Sequence, residues 1–455
     1  MRRLRCETRA AVLVLLLVIT PTVVVTTPIG IGAVDLIERA EASALVEMEA
    51  GVQTRDARFQ KAELIALPRF DLELAGNMSL TGIGRVRLDA FDRLDPGQPR
   101  LPWVANGSRR RYLWDHADWE LRELYLRAPL GRAHLTLGKQ QVVWGEADGL
   151  KVLDIVNPQS FREFILDDFE DSRIPLWTVN LEIPLGPGDL QLLWVPDPSF
   201  HELPAEDGVF GFRSPRLLPP RILGTVPLLV GVDPPGNAFR DSDLGARLTG
   251  FLGGFDFSFN YLYQYDDRPV FQGLLTTIDG VPTSSFTLTY ERTHLIAGTL
   301  SNAFGNLTVR GEVVYRTDRF LSTTDVRQPD LLHDTPELGY VLGLDWYGLS
   351  DTLVSFQLFQ SWLLDDAPGL LRDRLDTNLT LYAEHRLWND RLKLEALWIH
   401  STNAQDGLVR PKVTYELRSG LDVWVGFDVF YGDSEGVFGQ FGSRDRGVIG
   451  VQLAL

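Results

Sequence analysis

Cysteine is almost absent from this 455-residue chain, whose single thiol is Cys6. No disulfide framework and no thiolate metal site can be built from it. Basic charge is also in short supply. Forty-four Lys and Arg face 61 Asp and Glu, giving a net charge of −17, which speaks against nucleic-acid binding. Long apolar runs are limited to one, Ala10 to Val25, interrupted by Pro21. With 44% hydrophobic and 23% charged residues, the composition is ordinary for a globular protein and unlike that of a polytopic helical membrane protein. No Gly-x-Ser-x-Gly or His-Glu-x-x-His pattern occurs, and the seven histidines, with His134, His294, His385 and His400 in extended segments, form no recognisable catalytic motif. The expectation is a protein that is not an enzyme and holds no cofactor.

The one apolar run follows Arg2, Arg3, Arg5 and Arg9, the arrangement of a cleavable secretion signal. Cys6 precedes the run, so it is no lipoprotein acceptor. Cleavage is expected after Ala33 or after Ala44, with residues 1–33 as the signal peptide. Removing four Arg and one Glu takes away +3, so −17 becomes about −20 for the exported chain. Residues Val34 to Leu67 are rich in Ala, Glu and Leu, with Leu36, Ile37, Ala40, Ala44 and Leu45 at roughly helical spacing. They predict a short N-terminal helix, periplasmic or plugging, or else a disordered leader.

From about Ser79 the dominant period is two. Phe255, Phe257, Phe259, Tyr261, Tyr263 and Tyr265 alternate with Asp256, Ser258, Asn260, Leu262 and Gln264. Leu307 to Arg316 and Leu421 to Tyr431 repeat the pattern, and thirteen further segments bring the count to about sixteen. Each runs about ten to twelve residues, the length needed to cross a bilayer as a tilted strand.

The connections alternate as well. Short links such as Pro129 to Gly131, Gly253-Gly254 and Ser419-Gly420 are separated by long ones such as Asp92 to Asp118, Trp144 to Arg173 and Pro196 to Asp241. A membrane barrel has short periplasmic turns and long outer loops in that order. The expected fold is therefore all-β: a transmembrane antiparallel up-and-down barrel of about 16 strands over residues 68–455, in the outer membrane of a Gram-negative cell. Closure removes the unpaired sheet edges that lipid would penalise. The C-terminal Ile449, Val451, Leu453 and Leu455 share one face, as in strands read by the barrel-assembly machinery, although Leu455 replaces the usual terminal aromatic.

Leu137-Gly138-Lys139-Gln140-Gln141-Val142-Val143-Trp144-Gly145-Glu146, followed by Val156-Asn157-Pro158, resembles a motif of a proteobacterial outer-membrane family catalogued as domain of unknown function 1302. Gly84 to Phe91 is similar to that family's early strand. The resemblance covers roughly a sixth of the chain and departs from the motif where Gly-Arg-Gln becomes Gly138-Lys139-Gln140. It implies an outer-membrane barrel with a role in moving hydrophobic compounds, and it implies no catalytic residues.

In such a barrel the polar face lines the lumen, which places Arg85, Arg87, Asp89, Glu123, Arg127, Glu182, Arg247, Arg310, Glu312, Arg316, Lys393 and Glu395 inward. These residues form either a charged ladder that selects solutes or cross-strand ion pairs that hold the wall. The loop from Trp144 to Arg173, with Trp144, Glu146, Asp148 and Asn157 near its start and apolar Val152 to Val156 and Phe161 to Leu166 within it, is expected to fold into the lumen as a constriction. Asp167, Asp168, Glu170 and Asp171 offer hard oxygen ligands for calcium, without the spacing of an EF-hand. The Pro-rich loop Pro196 to Asp241, with Phe200, Phe210 and Phe212, is expected to be ordered, as a lid, as a ligand or partner surface, or as an inert cap. Three functions follow: a channel or transporter for hydrophobic or small organic solutes, a general diffusion porin for polar solutes, and a structural or adhesive protein acting through its loops. Lipid and the assembly machinery are the implied partners, and an oligomer is compatible with the sequence.

Overall fold

In the computed structural model, which describes residues 36–147 and 149–455, alternating side chains and short turns produce a single closed sheet. Its first strands are β1 (Ile37–Gln53), β2 (Phe59–Leu74), β3 (Met78–Asp89), β4 (Ala117–Leu130), β5 (Ala133–Gln140) and β6 (Leu176–Leu185). Next come β7 (Gly188–Val195), β8 (Asp243–Leu252), β9 (Phe255–Tyr265), β10 (Arg292–Phe304), β11 (Leu307–Ser322) and β12 (Leu332–Trp346). The circuit is completed by β13 (Thr352–Leu363), β14 (Leu375–Leu387), β15 (Leu392–Ser401), β16 (Asp406–Arg418), β17 (Leu421–Tyr431) and β18 (Arg446–Ala454). Each pairs antiparallel with the next, and β18 returns to β1 from Leu45↔Ala454 to Gln53↔Arg446. The sheet has nineteen strands, of which Arg111–Trp114 pairs only with β4 at the rim, so 19 − 1 leaves an 18-stranded barrel.

Eighteen corrects the expected sixteen, and the two additional strands are those in the stretch read as a helix. Residues Val34 to Leu67 form no helical plug where described: β1 and β2 pair from Ile37↔Leu74 to Val52↔Phe59. Their Ala, Glu and Leu content favours helix locally, but Glu47 and Glu49 alternate with Val46, Met48 and Ala50, a period of two masked by alanine. Because the pair enters as a hairpin, the parity and the alternation of loops are unchanged. The barrel therefore starts at residue 37, where 68 was expected. Cleavage after Ala44 would cut β1 in its middle, where Ala44 exchanges backbone hydrogen bonds with Leu455 (3.2 and 2.9 Å). Residues 1–33 and the site after Ala33 lie outside the described residues. The stretch Phe286 to Ser301, which by its sequence reads as one strand of the period-two series, is also divided. Val281–Thr289 belongs to a three-stranded sheet outside the barrel, with Val270–Ile278 and Val226–Val232, and the wall strand β10 starts at Arg292.

The burial pattern is inverted relative to a soluble protein. Phe259, Leu300, Leu342 and Ile449 are exposed on the outer face, whereas Lys61, Arg85, Gln264 and Thr380 are buried within. That distribution fits a sheet with lipid outside and a polar interior. No described helix is long and apolar enough to cross a membrane.

A charge placed on the outer face should therefore destabilise the barrel. Leu342→Arg, at mid-strand of β12, should cost about 2–4 kcal/mol in guanidinium unfolding of the refolded protein in vesicles. The wild-type barrel should migrate differently on denaturing gels before and after boiling; unaltered stability in the variant would contradict the assigned face.

Candidate solute pathway

Between β5 and β6 the chain turns inward, and the residues that turn it are those of the L-G-K-Q-Q-V-V-W-G-E stretch. Gly138 has φ +129°, and a Cβ there would lie 2.2 Å from the Leu124 carbonyl oxygen, so only glycine fits. Lys139, 1% exposed, donates through Nζ to the carbonyls of Leu121 (2.7 Å) and Ser108 (3.1 Å). At Gly145 an added Cβ would lie 2.6 Å from the Asp154 backbone nitrogen, so the close approach of the two chain segments there requires glycine. Asn157 closes the loop at its base, accepting from Val142 N (2.7 Å) and donating to Ile174 O (2.9 Å).

The loop of residues 141–175 then crosses the lumen. Trp144 is buried, donates from Nε1 to Gln191 (2.8 Å), and packs with Leu193, Leu262 and Leu295 of β7, β9 and β10. Glu312 of β11 accepts backbone N–H groups from Glu146 (2.5 Å) and Leu153 (3.2 Å), while Arg247 and Arg310 donate to the carbonyls of Val143 (3.1 Å) and Glu146. Asp148 lies outside the described residues. On the other side, Glu163 meets Lys61 of β2 (2.6 Å) and Arg446 of β18 (2.9 Å), and Arg162 meets Glu63 (2.6 Å) and Asp95. Arg410 and Arg122 donate to the carbonyls of Leu166 (2.8 Å) and Glu170 (2.7 Å). Lys61 also holds Glu49 (2.9 Å), and Arg446 holds Asp428 (2.7 Å). These paired charges are nearly solvent-free, and the surrounding cations keep the Glu163 carboxyl far below the usual carboxylate range despite its burial.

Two cavities remain around the loop. One of about 330 Å³ lies toward the long loops, lined by Phe161, Phe164, Ile165 and by Arg268, Arg316 and Arg372. The other, of about 700 Å³, lies toward the short turns, where Glu47, Asp168 and Asp171 share the lining with Arg386, Arg391, Lys393 and Lys412. Asp167 and Phe169 line both cavities and so form the partition between them.

Most predicted wall residues are paired. Arg85 faces Glu120 (3.1 Å), Arg87 faces Asp118 (3.5 Å) and Arg316 faces Glu337 (3.0 Å), each directly across two strands. Arg310 meets Asp345 (2.8 Å), and Lys393 meets Glu395 (3.1 Å). Asp89 accepts from Phe91 N (3.1 Å), Glu123 from Gln141 (3.1 Å) and Glu182 from Asn180 (3.3 Å), and Arg127 lies over the Tyr125 ring. Lys61 and Glu63 were hidden by the helical reading of β2; Arg162, Glu163 and Arg268 sit in loops whose fold no periodicity announces. The acidic run Asp167, Asp168, Glu170 and Asp171 is not gathered around one point. Among the described residues no three His, Cys, Asp or Glu side chains are grouped to hold a metal, and Asp168 and Glu170 are spread around the short helix Phe169–Ser172.

The Pro-rich loop forms an ordered cover. Phe200 stacks on Tyr290 at 3.9 Å, Phe210 is buried with Phe164, Phe430 and Phe441, and Arg216 pairs with Asp376 (2.7 Å).

The family described as protein of unknown function (DUF1302) matches residues 104–361. No curated protein matches the sequence. The fold is similar to that of OccAB2 of Acinetobacter baumannii (TM-score 0.53, 8% identity, 92% of this chain and 99% of that one). It is similar also to OccAB1 of the same organism (0.51, 9%, 92% and 97%) and to OccK1 of Pseudomonas aeruginosa (0.50, 12%, 92% and 99%). At such identities the likeness is one of fold, that of outer-membrane porins.

Truncating Glu163 would leave two buried cations short of a partner. Glu163→Ala should cost about 3 kcal/mol, the low end of the range because Lys61 keeps Glu49 and Arg446 keeps Asp428. Guanidinium unfolding checks the value, and a change below about 0.5 kcal/mol, within the range of ordinary surface substitutions, would refute the anchoring role.

Proposed function

The chain belongs to the DUF1302 family, a match covering more than half of its length, and from that premise we propose that it is an outer-membrane channel for small organic solutes. The carrying observation is the pair of cavities, which lie on either side of one loop and share Asp167 and Phe169 in their linings. A solute entering between the long loops meets aromatic and arginine side chains first and a strongly charged vestibule second. The proposed lining groups are the wall residues named above, although their mutual pairing leaves most of their charge compensated. The porin-like fold supports location in the outer membrane and passage without catalysis. Among the described residues no histidine hydrogen-bonds a serine hydroxyl; His385 bonds Thr352 and His400 bonds Tyr431. A general diffusion porin would need a wider opening than one partitioned by Phe169, and the ordered loops support a selective pathway over a purely adhesive surface.

Conductance of the refolded protein in planar bilayers tests the reading. Phe169→Ala should raise single-channel conductance, and an intact barrel that passes no current would refute channel function. Burial and the nearby Glu163 carboxylate push the Asp167 carboxyl up to about 7. It is then charged above that value and neutral below it, so cation preference should fall as the bath is taken from about pH 8 to about pH 6. Asp167→Asn should flatten that part of the profile, and an unchanged profile would remove Asp167 from the pathway.

A further inference from the structure

On the outside of the barrel, at the long-loop end of β3 to β6, the rim is built differently from the rest. β5 has only eight residues and stops at Gln140, whereas β4 continues past it from Leu124 to Ala117. The turn of residues 105–109 fills that step. Ser108 N and Arg109 N donate to Ala105 O (both 2.9 Å), Lys139 Nζ donates to Ser108 O (3.1 Å), and the Trp177 indole of β6 donates to Gly107 O (3.3 Å). Asp197, the carboxylate beneath the turn, is buried and taken up by Ser108, Ser199 (2.6 Å) and Trp177 N (3.2 Å).

In a chain of net charge −17, the stretch Pro96 to His116 holds four arginines and one carboxylate, Asp115, which accepts from Gln98 (2.6 Å). Arg110 is turned inward, to Glu202 (2.7 Å), Asp95 (3.0 Å) and Asp118 (3.2 Å). Arg109 and Arg111 have no carboxylate partner among the described residues. Both instead reach one exposed residue, Asn106, through its side-chain oxygen (2.5 Å) and its carbonyl (3.5 Å). Exposed arginines of other outer turns, such as Arg58 and Arg327, pair with a nearby aspartate at 3.1 and 2.7 Å. Arg111 lies directly opposite Trp119, and Trp119 directly opposite Val86, so the three share the outer face. Trp119 (42%) and Trp177 (36%) are exposed there, and Val86 and Leu137 continue the apolar surface down the wall.

We propose that this rim holds the phosphorylated headgroup of an outer-leaflet lipid, its phosphate on Arg109 and Arg111 and its acyl chains along Trp119, Trp177 and the wall below. Indoles settle at the level of lipid headgroups, and a guanidinium offers a phosphate two parallel hydrogen bonds. Free arginines set directly above lipid-facing indoles therefore match a molecule that carries both an anion and hydrocarbon. A soluble anion would leave the indoles and the apolar wall unused, and an uncharged lipid would leave the arginines unpaired. The site faces away from the lumen. It rests on the outer-membrane location and is independent of the channel reading.

Native mass spectrometry of the full refolded barrel in neutral detergent, titrated with lipid A in the presence of a chelator, tests the assignment. Lipid A should bind, with phosphatidylcholine and glucose 1-phosphate each about tenfold weaker or more, as expected for losing either the charge-assisted hydrogen bonds or the acyl chains. The double variant Arg109→Gln/Arg111→Gln should weaken lipid A by about tenfold or more and leave phosphatidylcholine unchanged. Arg58→Gln/Arg327→Gln, which removes the same charge from other outer turns, should leave lipid A binding as it was. Heat-modifiable migration verifies that each variant is folded. Equal lipid A affinity in the folded Arg109→Gln/Arg111→Gln barrel, equal affinity for phosphatidylcholine or glucose 1-phosphate, or an equal loss in Arg58→Gln/Arg327→Gln overturns the proposal.

Discussion

An amide group in hydrocarbon has no water to bond, so a sheet that enters a membrane must leave no edge. The pairing of β1 with β18, from Leu45↔Ala454 to Gln53↔Arg446, meets that requirement here, and the rest of the structure depends on it. Closure forces each strand to show one face to lipid and one to the lumen, which is why Phe259 and Leu342 point out while Lys61 and Arg85 are enclosed. It also creates an interior too wide for wall side chains alone to fill. The loop of residues 141–175 occupies that interior, and its backbone groups need partners that no regular element supplies.

Those partners are charged side chains of the wall. Glu312 on one side, and Lys61 and Arg446 acting through Glu163 on the other, hold the loop across the lumen. Buried ions are costly unless paired and hydrogen-bonded, and here nearly every one is. Charges committed to one another in this way position the loop and contribute little net field. The same logic explains the motif, whose Gly138, Lys139, Gly145 and Asn157 act on the path of the chain and touch neither cavity.

How much of this was legible differs from element to element. The aromatic alternation of β9 was unmistakable because its two faces differ in every residue. β1 and β2 were misread because alanine is small enough for either face and Glu47 and Glu49, inward and ion-paired or lumenal, look like helix-surface residues in a sequence. The inward fold of the constriction loop could be anticipated from its apolar segments. Its anchors could not, since Lys61 and Glu163 are 102 residues apart and Arg446 and Glu163 are 283 apart. The acidic run Asp167 to Asp171 suggested convergence on an ion, whereas the helical turn at Phe169 spreads those carboxylates.

By itself the sequence determined the period, the turn positions and hence an even-stranded, closed antiparallel sheet with a polar interior, because strand alternation and turn chemistry are local properties of the chain. Which charges meet and where the loop divides the lumen were decided only by the tertiary structure. Electrostatic pairing falls off over a few ångströms in space, and the curvature that brings β2, β18 and the loop together is a property of the closed circuit as a whole.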